Sequence, residues 1–583
     1  MLQTDSRHSL STTALVLTAM AVTWGTFQII RLSGQTENVR PLPQQVSADD
    51  GIQQTATELN QWFRRHWEEQ AVSVAKTADD LTVFRRIHLA LVGTIPSLQD
   101  IRRFEADQAA DRIDRWTVQL LRDPRFPDYF AERLARSLVG TETGPFIIFR
   151  RDRLKSWLSD QIRRDRSWSE MTREMISGTG LWTDQPATNF ITVARVTDDD
   201  IDENKLAGRT VRTFLGQRID CAQCHDHPFD PQWKQKDFEG LAAFFCQADV
   251  SLAGVTDRLR EENGEPVRYR VTDPGKSESD ARMILPAVPF LPETLPKSGS
   301  LRRQLADWVT APENSRFHRA IANRVWGLMF GKAYQEPIDD LPNPDQSRLS
   351  PLDILGQSCH QQNDRLSVLI RSIAASQVFR LSSESKAADA SEYASQVDAW
   401  SVFPLIRLRP EQVIGSLFQA AHLRTIDHQS HLFVRLRKFG SENEFLNEYG
   451  DAGEEELTQQ PGTISQALLR MNGKFTRELV AAEFLSGPQQ LVSFSTDPST
   501  LIENSFLCCL CRRPYRQESL FFLSMMSSDL TTMAPSVDET LPETTSGTGE
   551  ETEMNPAPAV SRAEVTEDIF WTLINSPEFS WNY

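Results

Sequence analysis

Two thiols three positions apart, with a histidine directly after the second, occupy Cys221, Cys224 and His225. That spacing is the signature of covalent c-type haem attachment. Both thiols can reach vinyl groups along one porphyrin edge, and the histidine then falls beneath the iron as proximal ligand. Phe229, Trp233, Phe238, Phe244 and Phe245 follow closely, and rings of this kind would wall a haem and exclude water. No distal ligand is assigned. Met171, Met175, Met283 and His88 carry suitable atoms, but each type is more often a core residue. His227 stands two positions from His225 and cannot easily reach the opposite haem face.

Two other chemistries stay open for the same residues. Cys221, Cys224, His225 and His227, with Asp226 and Asp230, crowd a short stretch with metal-capable side chains. A non-haem ion such as zinc could take three of them and a remote group. Alternatively, Cys221 and Cys224 form a disulfide or remain structural thiols. Of the 7 cysteines, the others are Cys246, Cys359, Cys508, Cys509 and Cys511; the last three stand in a strongly apolar segment and are expected to be small buried hydrophobes rather than a metal site. No nucleophile elbow, phosphate-binding loop or dinucleotide fingerprint occurs, so no hydrolytic set is assembled and an enzymatic role is left open.

The elements that must position these residues are mainly helical. Leu59, Trp62, Phe63 and Trp67 recur at roughly helical spacing, and a second apolar helix runs near 81–91 and stops at Gly93. Ser97 with Asp100 three positions later predicts a helix start. Pro124 and Pro127 separate that region from a helix over about 128–138, and further helices are predicted over 150–163 and 168–177. The texture changes between 251 and 295, where 266–271 alternates like a strand. Helical periodicity returns at Leu301.

The expected architecture is therefore mainly α: two helical domains, a small β-containing connector and an N-terminal membrane segment. Its divisions are an anchor or signal plus tether at 1–51, a helical domain carrying the Cys/His motif at 52–250, and the connector at 251–298. A second helical domain covers 299–527, a disordered insertion rich in Thr, Glu, Pro, Ser and Gly covers 528–560, and 561–583 returns a last helix.

Residues 14–30 contain no charged side chain and are flanked by Arg7 and Arg31. The run predicts an uncleaved single-pass anchor rather than a cleaved signal, with the rest of the chain outside the cytoplasm. Thioether attachment of haem also takes place outside the cytoplasm, so the two expectations agree. A formal net charge of -18 argues against nucleic acid as a partner, because phosphate neutralisation needs excess Lys and Arg.

Longer motifs bring a resemblance. One is 84–96, beginning Phe84-Arg85-Arg86-Ile87-His88. Another is 214–230, which encloses the Cys/His motif, followed by Trp233-Lys234-Gln235. The second half adds 323–331 (Asn323-Arg324-Val325-Trp326 onward), 336–340, 462–468 with Met471-Asn472-Gly473, and 573–579. The chain resembles the planctomycete proteins that join a cytochrome-type N-terminal domain (PSCyt) to a planctomycete-specific C-terminal domain (PSD), both of unknown function. The resemblance covers nearly everything after the tether. It implies export, a cytochrome-like character resting on Cys221, Cys224 and His225, and an unknown redox partner or an exported sulfatase-like neighbour. One departure stands out: where the family has a histidine before a proline, this chain has Ser350-Pro351. A helix cap survives that change; an imidazole ligand does not. Asn323, Arg324 and Trp326 could serve a binding surface, although a buried helix would use the same residues. The leading functional expectation is electron transfer or redox sensing by one haem. The alternative is a scaffold or binding protein whose Cys/His cluster holds a structural metal or a disulfide.

Overall fold

The structure is a computed structural model. It describes residues 50–527 and 561–583, apart from short stretches at 142–148, 150, 196–200, 273–274, 346, 428–429, 431–444, 447, 451–452, 454–456, 458–461, 482–485 and 496.

Helices make up most of it. The first part holds α1 (Asp50–Glu69), α2 (Asp80–Val92), α3 (Leu98–Ala106), α4 (Arg112–Leu121), α5 (Arg125–Val139), α6 (Arg151–Arg163), α7 (Trp168–Ser177), α8 (Glu203–Thr210) and α9 (Gln235–Ala242). Two antiparallel hairpins follow, β1 (Ala248–Ser251) with β2 (Gly254–Asp257) and β3 (Tyr269–Val271) with β4 (Arg282–Ile284). Then come α10 (Leu301–Val309), α11 (Ser315–Phe330), α12 (Pro351–Gln361), α13 (Leu366–Ala375), α14 (Ala390–Asp398), β5 (Ile406–Arg407) and α15 (Pro410–Ala420). The last part holds α16 (Ile464–Asn472), α17 (Lys474–Val480), α18 (Gly487–Phe494), α19 (Pro498–Leu510), α20 (Arg516–Ser527), α21 (Arg562–Asn575) and β6 (Trp581–Asn582), which pairs with β5.

Local chemistry explains many of the ends. Asp79 caps α2 through Thr82, and Gly93 closes it in the left-handed region at φ 70°. Ser97 accepts a hydrogen bond from Asp100 N–H at the start of α3. Ser350 and Asp353 form a reciprocal capping box on α12 with Pro351 in its first turn. Pro127 lies inside the first turn of α5 rather than before the helix. It is tolerated there because the first-turn N–H groups have no intrahelical acceptor to lose.

The expectation of a membrane segment in the fold, and of a single-pass membrane location and membrane contact through it, is corrected. No helix among the described residues is long and apolar enough to cross a bilayer. Helix α1 has the length, but its sequence is amphipathic and charged. It buries Ile52, Ala56, Leu59, Phe63 and Trp67 against protein and turns Arg64, Arg65 and Glu68 outward. The run 14–30 and the insertion 528–560 lie outside the described residues.

The packing does not stop at the connector. Buried apolar side chains form one continuous cluster that includes Leu59, Phe84, Phe214, Trp326, Phe418 and Phe579. Helix α1 packs on both α12 and α13, and the Thr55 and Ser358 hydroxyls bond at 2.6 Å. The Trp67 indole N–H donates to the Ala399 carbonyl at 2.9 Å. On α2, Arg85 donates to the Trp581 and Phe579 carbonyls, while Arg86 donates to those of Tyr583, Phe379 and Leu381. Both guanidinium groups are buried, so their hydrogen bonds to backbone carbonyls replace the water they lose. These contacts bind the chain's last residues to its first helices.

Candidate metal centre

The Cys/His motif sits on a surface loop between α8 and α9. The chain leaves α8 through a wider turn at Val211–Leu215 and reverses at Gly216, φ 65°. A side chain there would crowd Leu341 and Ala320, within 3.0 and 3.2 Å of an added Cβ. A short 3-10 turn, Asp220–Gln223, then carries the motif. Cys221 and Cys224 are free and exposed. His225 is exposed too, its Nδ1 2.7 Å from the Asp226 carbonyl. His227 turns inward, and its Nδ1 accepts the Asp230 and Phe229 N–H groups at 3.0 and 3.4 Å. Its backbone N–H donates to the Trp233 carbonyl at 2.9 Å. The loop is moored to the second half through Asn343, which donates to Asp230 at 3.3 Å, and through the Arg218–Asp339 pair at 2.8 Å.

These residues do not fit a haem, and the expectations of haem, of a cytochrome-like site and of electron transfer through it are corrected. The rings that would wall a porphyrin are already used: Trp233, Phe238, Phe244 and Phe245 lie in the main core, and Phe229 projects into solvent, 90% exposed. Met171 and Met175 are fully buried in that core. His88 is buried among Phe84 and Trp116. Met283 is half-exposed, its sulfur 3.0 Å from Arg268 Nη1. Nor do Cys221, Cys224, His225 and His227 converge as a metal-ligating group. Among the described residues, the group that does is His318, His360 and Asp364.

Three elements build that centre. His318 lies in the first turn of α11, and His360 in the last turn of α12. The two helices approach closely because position 356 is glycine; a Cβ there would stand 2.9 Å from His318 Cβ. Past α12, Asn363 and Asp364 both take left-handed backbone angles, φ 64° and 50°, a region Asn and Asp tolerate better than most residues. This reversal lets Asp364 N–H donate to the Cys359 carbonyl at 2.8 Å and brings its carboxylate back over the helix end. The start of α7, from the first half, fixes the other side. Trp168 N–H donates to the Asp364 carbonyl at 2.9 Å, and Ser169 hydrogen-bonds the Asp364 carboxylate.

The result is convergent. His318 Nε2 is 3.3 Å and His360 Nδ1 3.5 Å from the same Asp364 oxygen, Oδ1. The three ligand atoms all lie within 4.8 Å of one another. Each is buried, and none has a hydrogen-bond partner in good alignment. Buried polar atoms of this kind cost free energy unless something satisfies them. Burial pushes the Asp364 carboxyl up, but His318, Ser169 and His360 together outweigh it and hold it below its usual range. Two imidazoles and one carboxylate are a donor set for zinc or another divalent transition ion. Cys359, next to His360, stays outside the set, its thiol 3.5 Å from the Arg365 carbonyl.

Sequence reasoning missed all three ligands. His360 and Asp364 stand one helical turn apart, which is a weak signal alone, and His318 belongs to another helix. The segment around Asn323 proves structural. Its side chain bridges Gln335 N–H and the carbonyls of Gln335 and Ile338, and Trp326 is fully buried.

Comparison with known families places these features. Residues 58–250 match the family described as PSCyt2, protein of unknown function (DUF1549), and residues 301–438 match PSD1, protein of unknown function (DUF1553). No curated protein and no solved structure matches the chain. The expected redox or sulfatase-like partner is therefore withdrawn, since no curated relative carries one over. The three ligand residues lie within the PSD1 match, while Trp168 and Ser169, which orient Asp364, lie within the PSCyt2 match. The chain carries both domains and belongs to the planctomycete-specific group that pairs PSCyt2 with PSD1.

Proposed function

We propose that this protein is a scaffold or binding protein in which a divalent transition metal, held by His318, His360 and Asp364, braces the seam between its PSCyt2 and PSD1 parts. One observation carries the reading. Three buried ligand atoms from α11, α12 and the following turn converge without satisfied hydrogen bonds, where α7 of the other part holds the carboxylate in place. An ion there would satisfy all three atoms and tie the two histidine helices to the residue that α7 orients. Binding to the folded form alone stabilises it by mass action.

The test is metal content together with stability. Protein purified without chelator should contain close to one equivalent of zinc or a related ion. Removing it should lower the unfolding midpoint, and adding it back should restore the loss. A metal-free protein whose midpoint ignores added zinc, cobalt, iron and manganese would end this reading.

A second reading attaches to the surface loop. Cys224 N–H donates to the Cys221 carbonyl at 3.4 Å, so the two free, exposed thiols share one tight turn. An external disulfide can oxidise the pair: the two thiols lose two protons and two electrons, and the oxidant becomes two thiols. Thiol counting before and after treatment with oxidised glutathione tests it. Two unreacted thiols on Cys221 and Cys224 would dismiss it.

A further inference from the structure

The His318, His360 and Asp364 side chains are not equally enclosed. Those of His318 and Asp364 are 7% and 9% exposed, while that of His360 is 39% exposed. The centre is therefore walled on the α11 and α7 sides, and its ligand atoms, His360 Nδ1 included, are shielded from solvent; the thinnest cover lies at His360, the rest of whose ring reaches the surface. Neighbouring donors do not close that side. The Cys359 thiol is engaged with the Arg365 carbonyl. The Ser169 hydroxyl lies 2.9 Å from that of Ser167 and is bonded to Asp364. Among the described residues, no other His, Cys, Asp or Glu joins the three.

Coordination chemistry makes this count meaningful. Structural zinc sites are closed by four protein ligands, whereas sites that exchange ligands keep three and leave a position for water or substrate. One carboxylate and two neutral imidazoles leave a divalent ion with net positive charge. The incoming ligand that neutralises it best is an anionic donor.

Building on the metal-site reading above, we propose that the ion at His318, His360 and Asp364 is only three-coordinate toward the protein. Its remaining position, left without a protein ligand among the described residues, is reached past the thin cover at His360 and takes water or a small anionic oxygen or nitrogen donor. The centre then acts as an exchange site, able to bind a carboxylate-bearing group from outside, as well as a brace within the fold.

Cobalt(II) is the probe, because its visible absorption reports ligand number and exchange. The full chain carrying Cys221→Ser and Cys224→Ser is stripped of metal, titrated with cobalt(II), and then titrated with azide and with acetate. The surface thiols are removed so that they cannot contribute bands. The expected result is saturable uptake of one cobalt, followed by a saturable change in its spectrum on adding azide, with a weaker change for acetate. Absence of cobalt uptake would overturn the metal-site reading and this inference with it. Uptake of one cobalt with a spectrum indifferent to both anions would overturn the open position alone and leave a closed structural ion. His360→Ala separates the cases further: it should weaken cobalt uptake at least tenfold while the apo protein keeps its unfolding midpoint. Unchanged uptake would remove His360 from the ligand set and overturn the proposal.

Discussion

The surface loop of Cys221, Cys224, His225 and His227 and the buried centre of His318, His360 and Asp364 each bring two histidines together with other metal-capable groups, in opposite geometry. In the loop the reactive groups lie close in sequence and do not converge as a ligand set. The thiols face solvent, His225 meets a neighbouring carbonyl, and His227 is consumed in closing a turn. In the centre the groups come from different elements and point at one another, with their facing atoms buried and unsatisfied. Proximity along the chain supplies residues. Only convergence, with the loss of water, supplies a site.

Four experiments break or sharpen that contrast. The largest effect belongs to the centre. With zinc at about a thousand times its dissociation constant, unfolding free energy should rise by about 4 kcal/mol. His318→Ala and Asp364→Ala should each eliminate the increment, and Cys221→Ser with Cys224→Ser should retain it, all read from denaturant curves with and without zinc. An increment that follows the cysteines would reverse the comparison.

Acid sensitivity needs its own control, since a third histidine is buried elsewhere. Burial pushes the His88 imidazole down to about 4 from 6.5. As pH falls, the unfolded chain takes up that proton first. Stability is therefore complete above pH 6.5, declines through the window and has lost about 3 kcal/mol once pH is below about 4. His88→Gln should flatten this part of the profile in metal-free protein. A slope that persists in the variant would assign the acid sensitivity to other groups.

A smaller effect tests the mooring of the loop. Asn343 links Asp230, Gln217 and Arg316, so Asn343→Ala should cost about 1–2 kcal/mol and speed amide exchange over 219–235. Zinc-dependent stabilisation should remain. The smallest change is expected at Phe229, whose ring is 90% exposed. Phe229→Ser should leave stability within about 0.5 kcal/mol, whereas a loss of several kcal/mol would mean that the ring packs against something in solution.

Much of the fold was legible because its signals are local. Helix α7 coincides with the expected span 168–177, and α6 begins within one residue of its expected start. Ser97 and Ser350 mark helix starts through bonds that reach no farther than one turn, and Gly93 marks an end through its own left-handed backbone. The aromatic rings after Cys224 show the opposite case. Their type and spacing suit a haem wall equally well as a helix core, and burial of Phe238, Phe244 and Phe245 against the rest of the protein decided it. The membrane expectation rested on 14–30 alone, which lie outside the described residues.

By itself, then, the sequence determined the helical class, many of the caps, the small strands between the two halves and the family pairing, all of which depend on near neighbours or on long shared motifs. Only the tertiary structure decided which histidines face one another. Gly356 lets α11 and α12 approach, two left-handed residues swing Asp364 back, and α7 of the other half locks it. The physical reason is that a ligand set is a set of distances, and the chain path between His318 and Asp364 encodes those distances in packing rather than in spacing.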